Sequence, residues 1–91
     1  MDATQIAIVD ALRKHGAFVQ HLHTVGQGCP DLLVGWREET VLIEVKSSRR
    51  EVLTDQQAEW HSTWKGGALA VIYDVEGALR VLRLIDNVKK E

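Results

Sequence analysis

The spacing of apolar residues changes several times along this chain, and each change marks an element. In ATQIAIVDALRKHG, residues 3 to 16, Ile6, Val9 and Leu12 recur at helical spacing, Asp2 stands where a cap is needed and Gly16 follows a basic last turn, which predicts an amphipathic helix. AFVQHLH, residues 17 to 23, alternates and ends at the glycines of TVGQGCP, so a strand followed by an irregular loop leads to Asp31. DLLVGW and TVLIEVK are apolar, rich in β-branched residues and separated by polar REE. They predict an antiparallel hairpin with its turn near Arg37 to Glu39 and both strands central in a sheet.

SSRREVLTD is polar and reads as loop. DQQAEWHSTWK, with Thr54 as N-cap and Ala58, Trp60 and Trp64 along it, predicts a second helix ended by Gly66-Gly67. ALAVIYD and ALRVLRLI, joined by VEG, predict a further strand pair, and residues 86 to 91 a short charged tail. The expected order is α-β-β-β-α-β-β, with no repeat, low-complexity segment or linker, so residues 1–91 form one domain. The continuous apolar runs of the third and fourth strands need cover on both faces, which predicts a three-layer α/β/α sandwich around a mixed sheet.

Composition narrows this picture. At 91 residues, 45% hydrophobic and 26% charged, the chain has material for one small core, and a second copy is a natural source of further buried area, so a homodimer is expected. The single cysteine, Cys29, excludes an intramolecular disulfide, and no run approaches the length of a membrane span. With no signal-peptide pattern after Met1, the expected compartment is the cytoplasm, with no membrane partner. The formal net charge of −2 gives no global attraction to nucleic acid, so any phosphate contact needs locally clustered Lys and Arg.

The candidate chemistry lies inside the most apolar stretch. On TVLIEVK, Glu44 and Lys46 project from one face while Ile43 and Val45 project from the other. A regular hairpin brings Asp31 opposite residues 44 to 46. Two carboxylates so placed suit Mg²⁺ or Mn²⁺, with the Val45 carbonyl as a further oxygen ligand. The Lys46 ammonium is placed to hold or help deprotonate an attacking water and to balance charge at a phosphate. That is the chemistry of metal-assisted phosphodiester hydrolysis. The competing reading is a solvated Glu44–Lys46 ion pair on an edge strand and plain turn chemistry at Pro30-Asp31.

The wider pattern is G-x-P-D, a hydrophobic hairpin, E-V-K, a polar loop, L-T-x-x-Q on a following helix and a glycine leading into a V-I-Y strand. It resembles the PD-(D/E)xK nuclease superfamily, and within it the stand-alone VRR-NUC domains of phages and bacteria. More distantly it is similar to the archaeal Holliday-junction resolvases. The resemblance runs from about residue 5 to residue 84. It implies a restriction-endonuclease-like core, divalent-metal-dependent cleavage of DNA, and often a homodimer acting on branched DNA. It also implies Asp31 and Glu44 as metal-binding acids, Lys46 as the catalytic lysine and Gln57 as the glutamine opening the second helix near the site. One position departs from it: Gln5 stands where a first-helix Glu is usual, which puts a second metal site or full activity in doubt.

Other residues compete for roles. Gln5 and Gln57 each follow a capping residue by three, so both fit a reciprocal capping box, and for Gln57 this is compatible with a site role. His21 and His23 share a strand face, but no second Cys/His pair completes a zinc set, which leaves substrate contact or packing. Cys29 adjoins Asp31 yet has no feature that would lower its pKa, so a small packing role is expected. Arg49, Arg50 and Lys65, with Arg13 and Lys14, are candidates for phosphate contacts, against a plain solvated charged surface. Trp60 and Trp64 read as core or interface, and Trp36 as the tryptophan to expose. A non-catalytic nucleic-acid-binding module and a partner-binding protein remain the rival functional classes.

Overall fold

The computed structural model describes residues 2–90. The first helix, α1 (Ala3–Lys14), starts at Asp2, whose carboxylate accepts the Gln5 backbone N–H at 2.8 Å. That bond satisfies one of the donors every helix start leaves open. Ile8, Val9 and Leu12 form its buried side, while Ile6 is 47% exposed, so the buried stripe lies slightly off the expected one.

A four-stranded mixed sheet follows, in the order β1 (Phe18–His21), β2 (Leu32–Trp36), β3 (Glu39–Val45) and β4 (Ala68–Ile72). The first three strands pair antiparallel, and β4 returns parallel to β3 after α2 (Asp55–Thr63). A helical crossover of that length is what a parallel pairing requires. The expected hairpin is present with β2 and β3 in the centre, and its turn residues, Arg37 and Glu38, both have positive φ, at 49° and 67°. Two left-handed residues are the signature of the tight primed turn that matches strand twist.

The expected fifth strand is instead a helix, α3 (Val75–Lys89). Val75, Ala78, Leu82 and Ile85 pack against the core at helical spacing, and Asp74 accepts the Gly77 N–H at 2.8 Å. The VEG segment is therefore the first helical turn and not a strand connection. Residues 86 to 89, expected as tail, are its last turn. Trp36 is also not the exposed tryptophan. It is half-buried against the core, donates its indole N–H to Asp86 at 3.2 Å and lies under the Arg37 guanidinium.

Strand parity sorts the sheet into two faces. Val19, Leu32, Val34, Val41, Ile43, Val45 and Ile72 pack with α1 and α3 in one core, where Ile8, Leu12, Leu32, Val34 and Ile43 are fully buried. Burying each such side chain contributes on the order of 1.5–3 kcal/mol before chain entropy is counted. Leu42, Glu44 and Lys46 project from the opposite face, and α2 engages it there. The result is mixed α/β architecture with helices to both sides of the sheet. Among the described residues, no helix is long and apolar enough to cross a membrane.

Candidate functional site

Register brings the two acids together. Leu32 lies opposite Ile43, so Asp31, one residue before it, faces Glu44 at the same end of the hairpin. Asp31 is pinned there because its carboxylate accepts the Val45 backbone N–H at 2.8 Å, while its own carbonyl accepts Leu22 N–H at 2.8 Å.

Glu44 is the most unusual residue of the molecule: a carboxylate only 1% exposed. One of its oxygens, Oε2, accepts from Gln57 Nε2 at 3.2 Å and lies 3.9 Å from Lys46 Nζ, whereas Oε1 is buried with no partner. Burial, then hydrogen bonding and repulsion from Asp31, push its pKa up to about 8, with the Lys46 charge opposing. Metal-free, Glu44 therefore holds a proton at neutral pH.

Lys46 is buried as well and donates to Gln57 Oε1 at 2.7 Å. Gln57 thus serves two structures at once. Its Oε1 also accepts the Thr54 N–H at 3.0 Å and its own N–H donates to the Thr54 hydroxyl at 3.1 Å, closing a capping box at the start of α2. The loop before Asp31 packs on that same turn. Gly28 has φ +84°, and a Cβ there would overlap the Gln56 carbonyl, so only glycine both adopts this backbone and admits α2 to the site.

Three neighbours were not among the expected site residues. His61 follows Gln57 by one helical turn, its Nε2 is buried without a partner, and burial and then the Lys46 charge lower its pKa, so it is neutral at pH 7. The spacing of four was the available signal. The Cys29 thiol is raised by burial and then by Glu44 and Asp31, which places it beside the carboxylates as a protonated thiol and not a nucleophile. Ser47 joins the strand end to α1, its hydroxyl lying 3.3 Å from Asp2, while its N–H donates to Glu51 at 2.8 Å.

The remaining expected residues divide. Gln5 is buried with Nε2 unpartnered, and the reciprocal half of a capping box that forms at Gln57 does not form at Gln5. Arg49, Arg50 and Lys65 are exposed, and Arg49 lies over the Tyr73 ring at 4.8 Å. Arg13 and Lys14 end α1 far from the site, about 16 Å along its axis from the Asp2 end that meets Ser47, at 1.5 Å per residue. The rings of His21 and His23 meet edge to face at 5.8 Å. Trp60 and Trp64 stack on each other at 5.1 Å, but Trp64 remains 40% exposed and α2 buries none of its residues, so the pair is not core.

A divalent cation fits this donor set. Two facing carboxyl groups, one with a buried oxygen that nothing satisfies, gain from a positive charge that displaces the Glu44 proton. Among the described residues no cluster of three or more His, Cys, Asp or Glu side chains surrounds the site. Hard ions that keep several waters and take one or two carboxylates match such a set better than zinc does. No family model, no curated protein and no solved structure matches the chain.

Proposed function

We propose that the protein is a divalent-metal-dependent DNA endonuclease with a restriction-endonuclease-like fold, selective for branched DNA. The observation that carries this reading is the constellation at one end of the sheet in which half-buried Asp31 and Gln57 flank buried Glu44 and Lys46. Burying an acid and an amine without full satisfaction is costly, and a structural ion pair would be better replaced by apolar residues. A solvated edge-strand pair is excluded by the burial of both groups.

Asp31 and Glu44 would hold Mg²⁺ or Mn²⁺, with the Val45 carbonyl a further oxygen at the strand end. The ion, when bound, polarises the attacked phosphate and activates water at neutral pH. Lys46 supplies a positive charge beside the carboxylates, where negative charge develops on the phosphate. Gln57 fixes the ammonium through its carbonyl oxygen, and Glu44 through its amide. His61, neutral at pH 7, adds no competing charge to the amine.

The test is incubation of the protein with labelled four-way junction, flap, single-stranded and duplex DNA, in Mg²⁺, Mn²⁺ or EDTA. Metal-dependent cuts lost in Lys46→Ala are expected. Binding without cuts on every substrate would favour the second reading, a non-catalytic nucleic-acid-binding module, which the neutral Gln5 supports. Homodimerisation belongs to the first reading. Leu84 and Val88, 58% and 67% exposed beside the open edge of β4, offer apolar surface for it, and light scattering decides the matter.

A further inference from the structure

Five arginines besides Arg80 are available to bind anions, and most are already occupied. Arg13 donates to the Val19 carbonyl at 3.0 Å, Arg37 pairs with Asp86 at 2.8 Å and Arg83 pairs with Glu76 at 2.6 Å. Arg49 and Arg80 differ. Among the described residues Arg49, Arg50 and Arg80 have no carboxylate within salt-bridge distance, and of these Arg49 and Arg80 line one cavity of about 170 Å³. Arg49 is held in place by stacking over Tyr73, so part of the entropy of ordering a long side chain is already spent. The one acid lining the cavity, Asp74, is engaged by the Gly77 N–H.

The cavity's position gives it meaning. Ile72 ends β4, which pairs parallel with β3, Tyr73 follows it directly, and the Lys46 N–H donates to the Ile72 carbonyl at 3.0 Å. The cavity and the carboxylate site therefore open at the carboxyl ends of adjacent parallel strands, where α/β sheets bind ligands. Arg49 belongs to the loop that leaves Lys46.

We infer that Arg49, Arg80 and Tyr73 form a phosphate subsite that holds a backbone phosphodiester of the DNA strand next to the one positioned for cleavage. This rests on the nuclease reading for its substrate. The two guanidinium groups match phosphate oxygens with charge-assisted bonds, and a cavity of about 170 Å³ has room for one phosphate group. Sequence alone pointed to Arg49 with Arg50 and Lys65. The cavity adds Arg80, thirty-one residues beyond Arg49.

The experiment measures binding of a labelled DNA junction across a salt series in a Glu44→Gln background, which prevents cleavage. Three proteins are compared: the background, its Arg49→Gln/Arg80→Gln derivative and its Arg83→Gln derivative. Losing this one phosphate contact should flatten the slope of log affinity against log salt by about 0.7 to 0.9 and weaken low-salt binding by about tenfold or more. Arg83→Gln should leave the slope in place. Equal slopes in all three, with binding retained, would overturn the subsite and leave the nuclease reading standing. An equal loss in Arg83→Gln would reduce the effect to general surface charge and likewise overturn it. No DNA binding by any of the three would remove both proposals. Stabilisation of the wild type in a thermal melt by inorganic phosphate alone, equal to that given by DNA, would assign the cavity to a free anion and overturn it.

Discussion

The two faces of the sheet are built on different rules. Toward α1 and α3 the strands present Val, Leu and Ile, buried and with no side-chain polar atom to satisfy. Toward α2 the same strands present Glu44 and Lys46, equally withdrawn from water, with an unpaired oxygen left among them and a helix that buries none of its own residues. Adjacent residues of one strand thus serve opposite ends. Ile43 contributes stability, while Glu44 is retained at a cost in stability, which is the pattern expected where geometry is kept for chemistry.

The sharpest way to break this comparison is to substitute neighbours. Ile43→Ala should cost on the order of 2–5 kcal/mol in urea unfolding. Glu44→Gln should leave the melt unchanged or raised while lowering cleavage by about 10³-fold or more. If both variants lost stability alike, the two faces would not differ in kind.

The second test is pH. Because the folded-state pKa of Glu44 lies above its ordinary value, the native protein binds more protons than the unfolded chain between the two. Metal-free stability should therefore be greatest at low pH within that window and fall as pH rises from about 4.5 to about 8. Added Mg²⁺ should restore more stability at pH 8 than at pH 5, since the cation competes with the proton. Melts at the two pH values, with Mg²⁺ and with EDTA, check the sign, and a Glu44→Gln protein should lose most of the slope.

Much of this site could be read along the chain because hairpin register is arithmetic. Once the turn is placed near Arg37 to Glu39, Asp31 must face Glu44, and alternation puts Lys46 beside it. The capping box at Thr54 was equally local. ALRVLRLI misled because a short run of mixed apolar and basic residues suits either period, and Asp74, read as the end of a strand, was in fact a helix cap. His61, Cys29 and the Arg49–Arg80 cavity depend on how loops and helices return to the sheet, which no local pattern states.

Smaller effects sharpen the contrast. Gly28→Ala forces a left-handed backbone and a clash with the first turn of α2, so it should cost about 1–3 kcal/mol in unfolding free energy and reduce Mg²⁺-dependent stabilisation. If Mg²⁺ stabilised it as fully as the wild type, the loop would not be shaping the site. Glu38→Gly relieves a positive φ in the hairpin turn, away from the chemistry. It should add about 0.5–1 kcal/mol of stability and leave cleavage unaltered.

The double duty of Gln57 has a dynamic consequence. Its carbonyl oxygen holds both the first turn of α2 and the Lys46 ammonium, and α2 is anchored by this contact more than by burial. Fraying of that one helix would release the lysine while the α1/α3 core stayed intact, an opening of low free energy that amide exchange would detect well before global unfolding. Activity would then decay on heating ahead of the main transition, and a ligand that clamps the site would slow exchange along α2 first.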